Sequence, residues 1–378
     1  MDHATEPTTR PDPMAAEPGP GRAIRPKVSI VIPVYNGADF LAEAIDSALA
    51  QTYDHREVIV VNDGSTDDGA TERVARAFEG RIRYVTKPNG GVATALNRGL
   101  EEMSGDYFSW LSHDDLYLPE KLAVQVEALA QQPDPRRCAL YSDFATFTGD
   151  PLAAVPYVLP PVAPQDFRHF ITSASGVHGC TLLVPRQAFD EHGRFDPALR
   201  TTQDYDLWFR MAATFDFVHQ PRVLVRARRH PAQGTQALSP LVLEECDQLA
   251  AGFVARLAES EVRQDPAGPL AEGYFRLLCS FEARGYARAS ARALDLCRQS
   301  TACLTADELL WLLRRQAATS ASLADAQAQI LGLGAQCDDL TEQVRDLSRR
   351  LDDTLGSRSW RLTAPLRRVT DLLAGTTR

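Results

Sequence analysis

From Lys27 onward short apolar runs alternate with amphipathic stretches, and no other feature restricts the fold so much. Such a texture is that of a β/α unit repeated along a largely parallel sheet. The runs are Val28 to Val34, Val58 to Val61 and Tyr107 to Leu111. Between them, Phe40, Leu41, Ala44, Ile45, Ala48 and Leu49 keep one apolar helical face, as do Val74, Ala77 and Phe78, and then Val92, Ala95, Leu96, Leu100 and Met103. Ser65, three residues before Asp68, reads as a capping-box variant for the second helix.

Each apolar run ends in a polar cluster: Tyr35-Asn36-Gly37, then Asn62-Asp63-Gly64-Ser65-Thr66-Asp67, then Ser112-His113-Asp114-Asp115. In an open parallel sheet those ends share one edge, and that edge is where ligands bind. No G-x-G-x-x-G follows the first run, and Asn89-Gly90-Gly91 lacks that spacing, so hydride transfer loses support. The absence of a G-x-x-x-x-G-K-[ST] loop argues against a P-loop nucleotide triphosphatase. Adjacent Asp114 and Asp115 at a strand end suit a hard divalent cation, which can bridge two phosphates of a ligand. They suit equally a cap on the following helix, opened at its first turn by Pro119.

Composition narrows the partners. With 50 acidic against 40 basic side chains the net charge is -10, which opposes nucleic-acid binding. No apolar stretch approaches the roughly 18 residues needed to cross a bilayer, and the first 26 residues lack the apolar core of a signal peptide, so a cytoplasmic protein is expected. The seven cysteines are scattered without a C-x-x-C spacing and read as reduced thiols.

The chain divides into a Pro-rich tail over 1–26, expected to be disordered, an α/β domain over 27–238, a helical region over 239–320, a coiled coil over 321–356 and a basic end over 357–378. The coiled coil rests on Leu323, Ala326, Ile330, Leu333, Cys337, Leu340, Val344, Leu347, Leu351 and Thr354, spaced alternately by three and four. Gly332 and Gly334 weaken helix there by about 1 kcal/mol each. From Ser357 to Arg378 five arginines and Trp360 meet one aspartate. That end suits an anionic membrane surface or a protein partner as well as it suits a solvated tail.

Taken together, Val28 to Asn36, Val60 to Asp67, Asn89-Gly90-Gly91 with Asn97-Arg98-Gly99, Leu111 to Asp115 and Gln203 to Arg210 resemble the family 2 glycosyltransferases, over about 210 residues ending near residue 235. The resemblance implies the GT-A fold, a mostly parallel central sheet flanked by helices, here with a C-terminal helical and coiled-coil extension. It implies an inverting enzyme that moves a sugar from a nucleotide-diphosphate sugar to a hydroxyl of a glycan or lipid-linked acceptor in cell-surface polysaccharide synthesis. Tyr35, Asn36, Asp63 and Asn89 then fall in the nucleotide-sugar site. Asp114, with Asp115 beside it, holds Mn²⁺ or Mg²⁺, and Ser112 replaces the first Asp of the usual D-x-D.

Asp204 matches the catalytic base, preceded by Gln203 where the family usually has Glu, a change expected to lower the base's pKa slightly. Asp204 is also placed to stabilise the N-terminus of its helix. Arg228, Arg229 and His230 resemble the family's loop over the diphosphate, for which guanidinium and imidazole are suitable donors; a basic surface loop would look the same. His178 is read as an acceptor contact or a structural histidine. Two rivals stand beside this reading. One is an inactive glycosyltransferase-like scaffold acting through the coiled coil, supported by Ser112 and Gln203. The other is a sugar-nucleotide pyrophosphorylase, which should carry an Arg/Lys-containing Gly-rich loop where this chain has Tyr35 to Asp39. If the heptads drive self-association and the basic end touches the inner face of a membrane, truncation after Ser320 will lower the sedimenting mass and increase the soluble fraction. Unchanged sedimentation and fractionation would overturn both expectations.

Overall fold

The computed structural model describes residues 24–174, 176–231, 233, 238–263, 268–301 and 346. Residues 1–23 of the N-terminal tail, the end of the helical region, the basic tail and all of the coiled coil except Asp346 lie outside these residues. The chain separates into two units, Met1–Cys303 and Leu304–Arg378, and the description below concerns the first.

Its centre is a sheet in the order β3-β2-β1-β4-β8. Strands β1 (Val28–Val34), β2 (Arg56–Asn62), β3 (Arg83–Thr86) and β4 (Tyr107–Trp110) run parallel, and β8 (Val184–Pro185) closes the edge antiparallel to β4. All seven residues of β1 are buried, as expected of a strand covered on both faces. Helices α1 (Leu41–Leu49), α2 (Ala70–Arg76) and α3 (Val92–Glu102) follow the first three strands. Each was expected from an apolar face, although α2 buries Thr71 and Ala75, and the expected Ala77 and Phe78 lie beyond its end. Leu41, Ala44, Ile45 and Ala48 of α1, and Ala93, Ala95, Leu96 and Leu100 of α3, are buried. This is the GT-A type of α/β arrangement that the resemblance implied.

A second sheet has the order β5-β9-β6-β7. Its long members, β6 (Cys138–Phe147) and β9 (Asp216–Arg228), run parallel with a bulge at Ser142 and Asp143. The short β5 (Leu116–Tyr117) lies antiparallel to β9, and β7 (Val155–Tyr157) antiparallel to β6. A bridge between Leu140 and Leu183 links β6 to the segment entering β8.

Two capping assignments are corrected. Ser65 does not cap α2, because its Oγ accepts the Asn36 amide at 2.9 Å. The helix instead begins after Gly69 in the left-handed region, with Asp67 accepting from the Thr71 amide at 2.9 Å and its hydroxyl at 2.6 Å. Likewise Pro119 precedes rather than opens α4 (Lys121–Ala130), whose cap Glu120 makes no side-chain bond. Asp114 and Asp115 are therefore not helix caps.

The described part of the region after 238 is helical: α8 (Ser239–Val254), α9 (Glu259–Val262), α10 (Leu270–Ala283) and α11 (Ala287–Thr301). These helices share one compact unit with the sheets. Arg168 of α5 (Phe167–Ser173) donates to both oxygens of Glu261 at 2.8 Å. Phe253 of α8 stacks on Phe209 of α7 (Gln203–Met211) at 4.0 Å. No helix among the described residues is long and apolar enough to cross a membrane.

Gly99 marks a close helix-to-sheet contact, since a Cβ there would collide with the Cγ1 methyl of Val31 on β1 and crowd its Cγ2. Overpacking of this kind costs about 1–3 kcal/mol. Gly99→Ala should lower the urea midpoint accordingly, and Val31→Ala in the same chain should recover part of the loss.

Candidate active site

The parallel register brings the ends of β1, β2 and β4 to one edge. Val34 pairs with Asn62 and Val31 with Trp110, so Tyr35, Asp63 and the Ser112 to Asp115 segment emerge together. They line a cavity of about 1070 Å³, larger than the roughly 300–1,000 Å³ of a typical small-molecule site.

Asp63 at the end of β2 is buried and heavily engaged. Its carboxylate pairs with Lys87 and accepts the amides of Gly90 at 3.1 Å and Gly91 at 2.7 Å. Asp63 thus fastens the Asn89-Gly90-Gly91 loop to the sheet, and Asn89 lines the cavity with it. Tyr35 also lines the cavity, with its ring half-exposed. Asn36, expected beside it, does not line the cavity. Its left-handed backbone turns the side chain toward the next loop, where Oδ1 accepts the Thr66 amide at 2.7 Å.

The Ser112 to Asp115 segment is held from below. Asp115 is 1% exposed; its Oδ1 accepts the Arg228 amide at 2.9 Å, and its Oδ2 lies 3.3 Å from the Cys180 thiol. Burial, and then the neighbouring Asp114 charge, push the Asp115 carboxyl well above the usual range. Burial also pushes His178 down to about 4. Its Nδ1 accepts the Cys180 amide at 3.3 Å, which leaves the proton on Nε2, 3.6 Å from Asp115.

Arg228 is corrected. It neither lines the cavity nor faces solvent. The pairing of β9 with β6, Arg228 opposite Phe147, brings its guanidinium within 4.3 Å of the Phe40 ring and 4.6 Å of the Phe147 ring. There Nε donates to the Asp114 carbonyl at 3.0 Å and Nη2 to Glu43 at 2.7 Å. These contacts hold the acidic segment in place. His230 also stands behind the cavity wall, but its Nε2 lies 3.0 Å from Asp114 Oδ2.

That separation fits a shared cation. Two ligands about 2.1 Å from one metal and at right angles to each other are about 3 Å apart. The carboxylate oxygen suits Mn²⁺ or Mg²⁺, whereas the imidazole is a donor more typical of Zn, Cu, Fe or Ni. Asp115, His178 and Cys180 form a second group within 4.8 Å of one another, softer in its donors and deeper.

Asp204 lies at the second position of α7, on the far side of the sequence from the acidic segment, yet it lines the same cavity. It serves the helix as well, accepting the Tyr205 amide at 2.9 Å. Burial raises its carboxyl to about 6. Gln203 is buried with no hydrogen-bond partner for Oε1 among the described residues. Tyr205 accepts the Gly176 and Val177 amides at 2.9 and 3.1 Å, fixing another part of the wall.

Sequence reasoning missed the contribution of the later helices. Val242, Cys246, Leu249 and Phe253 of α8, with Arg284 and Tyr286 from the turn between α10 and α11, complete the cavity. Their only sequence signal was an amphipathic, Leu- and Ala-rich texture, which states that a face is buried but not against what.

The family model described as "Glycosyl transferase family 2" matches residues 29–193. The chain is 43% identical over 241 residues to an uncharacterized glycosyltransferase of Rickettsia felis, covering 63% of this chain and 40% of that protein. It is 43% identical over 243 residues to one from Rickettsia typhi, covering 63% of this chain and 74% of that protein. Among solved structures, S. aureus TarS 1-349 in complex with UDP-GlcNAc aligns with a TM-score of 0.48 and 16% identity, over 72% of this chain and 90% of that one.

Replacing Arg228 by Met should lower stability by about 1–3 kcal/mol, because the buried Asp114 carbonyl loses its donor. Urea unfolding in the absence of ligand reads this directly. Unchanged stability with weakened nucleotide binding would return Arg228 to the phosphate site.

Proposed function

Because this chain belongs to glycosyltransferase family 2, we propose that it transfers a sugar from a nucleotide-diphosphate sugar to an acceptor hydroxyl, with inversion at the anomeric carbon. What carries the reading is one cavity lined by both a base-like carboxylate, Asp204, and the Asp114 carboxylate, which meets His230 behind the wall. Tyr35, Asp63 and Asn89 form the wall for the nucleotide. Asp63 contributes mainly by holding the glycine loop, because its oxygens are already engaged.

Asp204 takes the proton from the acceptor hydroxyl as that oxygen attacks the sugar, and the nucleoside diphosphate leaves from the opposite face. A pKa of about 6 leaves Asp204 ionised at neutral pH while keeping it a better base than a solvated aspartate. A divalent cation, Mn²⁺ or Mg²⁺, on Asp114 and His230 would neutralise charge on the departing diphosphate. The acceptor is read as a glycan or lipid-linked hydroxyl in cell-surface polysaccharide synthesis, with any self-association or membrane contact left to the C-terminal region.

A screen of purified protein with Mn²⁺ against sugar nucleotides, reading thermal shift and nucleoside diphosphate release, tests the class. No release from any donor would favour the scaffold reading. For the base, kcat/KM should fall as pH drops through about 6, since protonation removes the acceptor for the hydroxyl proton. Asp204→Asn should lose about 10²- to 10⁴-fold in rate and still bind nucleotide. Wild-type turnover in that variant would remove Asp204 from the role.

A further inference from the structure

The end of the cavity built by α8 and the turn after α10 has no part in the chemistry above. Its walls differ from the rest. Val242, Leu249 and Phe253 present an apolar surface, and Arg284 brings a guanidinium. Arg284 is held in place by donations from Nε to the Ser280 carbonyl at 3.2 Å and from Nη2 to the Thr172 carbonyl at 3.1 Å. Its guanidinium carbon lies 4.6 Å from the Tyr286 ring centre.

All of these partners are neutral. No carboxylate of the described residues pairs with Arg284. Two acidic residues of α8 are spent on backbone: Glu245 on the Arg200 and Thr201 amides, each at 2.9 Å, and Asp247 on the Arg288 and Ala289 amides at 3.0 and 2.8 Å. Burial pushes Arg284 below its ordinary value, as expected of a cation short of an anion. Arg284 is half-buried, and a guanidinium at a cavity wall with no carboxylate partner among the described residues suits an oxyanion from a ligand. The position is also compatible with the reaction, because Asp204, Cys246 on α8 and Arg284 line the same cavity.

We propose that this end of the cavity is an acceptor subsite, in which Arg284 binds an oxyanion carried by the acceptor and α8 packs against its apolar remainder. A carboxylate of an acidic sugar and a phosphate would supply the same chemistry. That the bound molecule is an acceptor rests on the proposed transferase function; that an oxyanion binds there does not.

Calorimetric titration of the full-length protein separates these points. The probes are p-nitrophenyl glucuronide, p-nitrophenyl glucoside 6-phosphate and the neutral p-nitrophenyl glucoside. At least one anionic probe should bind about tenfold or more tightly than the neutral one, the scale of a charged hydrogen bond, and the tighter of the two identifies the anion. Arg284→Gln should erase the preference, Arg284→Lys should keep part of it, and UDP and GDP should bind both variants as they bind the wild type. Equal binding of charged and neutral probes by the wild type overturns the subsite. So does an Arg284→Gln protein that loses UDP or GDP affinity instead, which would assign the arginine to the donor. Should the Gln variant not fold, the wild-type preference and the Lys variant decide. A wild-type protein with the anion preference that releases nucleoside diphosphate from no sugar nucleotide would sink the transferase function and leave the anion site standing.

Discussion

The contact between Arg228 and the Asp114-Asp115 segment joins the parts on which the site depends. The Arg228 amide binds Asp115 at 2.9 Å, its Nε binds the Asp114 carbonyl at 3.0 Å, and its Nη2 reaches Glu43 on α1 at 2.7 Å. One residue at the end of β9 thereby ties the second sheet, the acidic segment after β4 and the first helix to each other. Such a buried, charge-assisted network fixes geometry more than it adds stability, because bringing the charges out of water costs about as much as their pairing returns. What it secures is the direction of the Asp114 carboxylate toward His230.

Burial then sorts the remaining ionisable groups into roles. Asp115 is driven toward its neutral form and His178 is kept neutral, so the floor of the site carries less charge than its composition implies. Asp204 is desolvated enough to sit near 6. Two carboxylates that look alike in sequence, Asp115 and Asp204, differ because only Asp115 has a second carboxylate, Asp114, adding to the effect of burial.

Much of the architecture was legible because it is local. The run Val28–Val34 is a strand with the bounds its apolar residues have, and the faces of α1 and α3 follow from spacing of three and four. The strand-end placement of Tyr35, Asp63, Asp114 and Asp115 follows from parallel topology. Asn36 and Arg228 were misread for the opposite reason. The left-handed backbone at Asn36 and the inward turn of Arg228 depend on partners 30 and 185 residues away in the chain, Thr66 and Glu43. No pattern near either residue records those partners.

By itself, the sequence determined the alternation of strands and helices, the edge where ligands gather and the residue types available there, because periodicity and chain connectivity are properties of neighbouring residues. Only the tertiary structure decided which polar groups are spent on each other and which remain for a ligand. Asp63, Asp115 and Arg228 are largely spent, whereas Asp204 faces the cavity. The helices after residue 238, unassigned in chemistry by sequence, were also given their place there, as part of the cavity wall. The physical reason is that desolvation and hydrogen-bond satisfaction are set by what lies within a few ångströms in space, and packing alone brings those groups together.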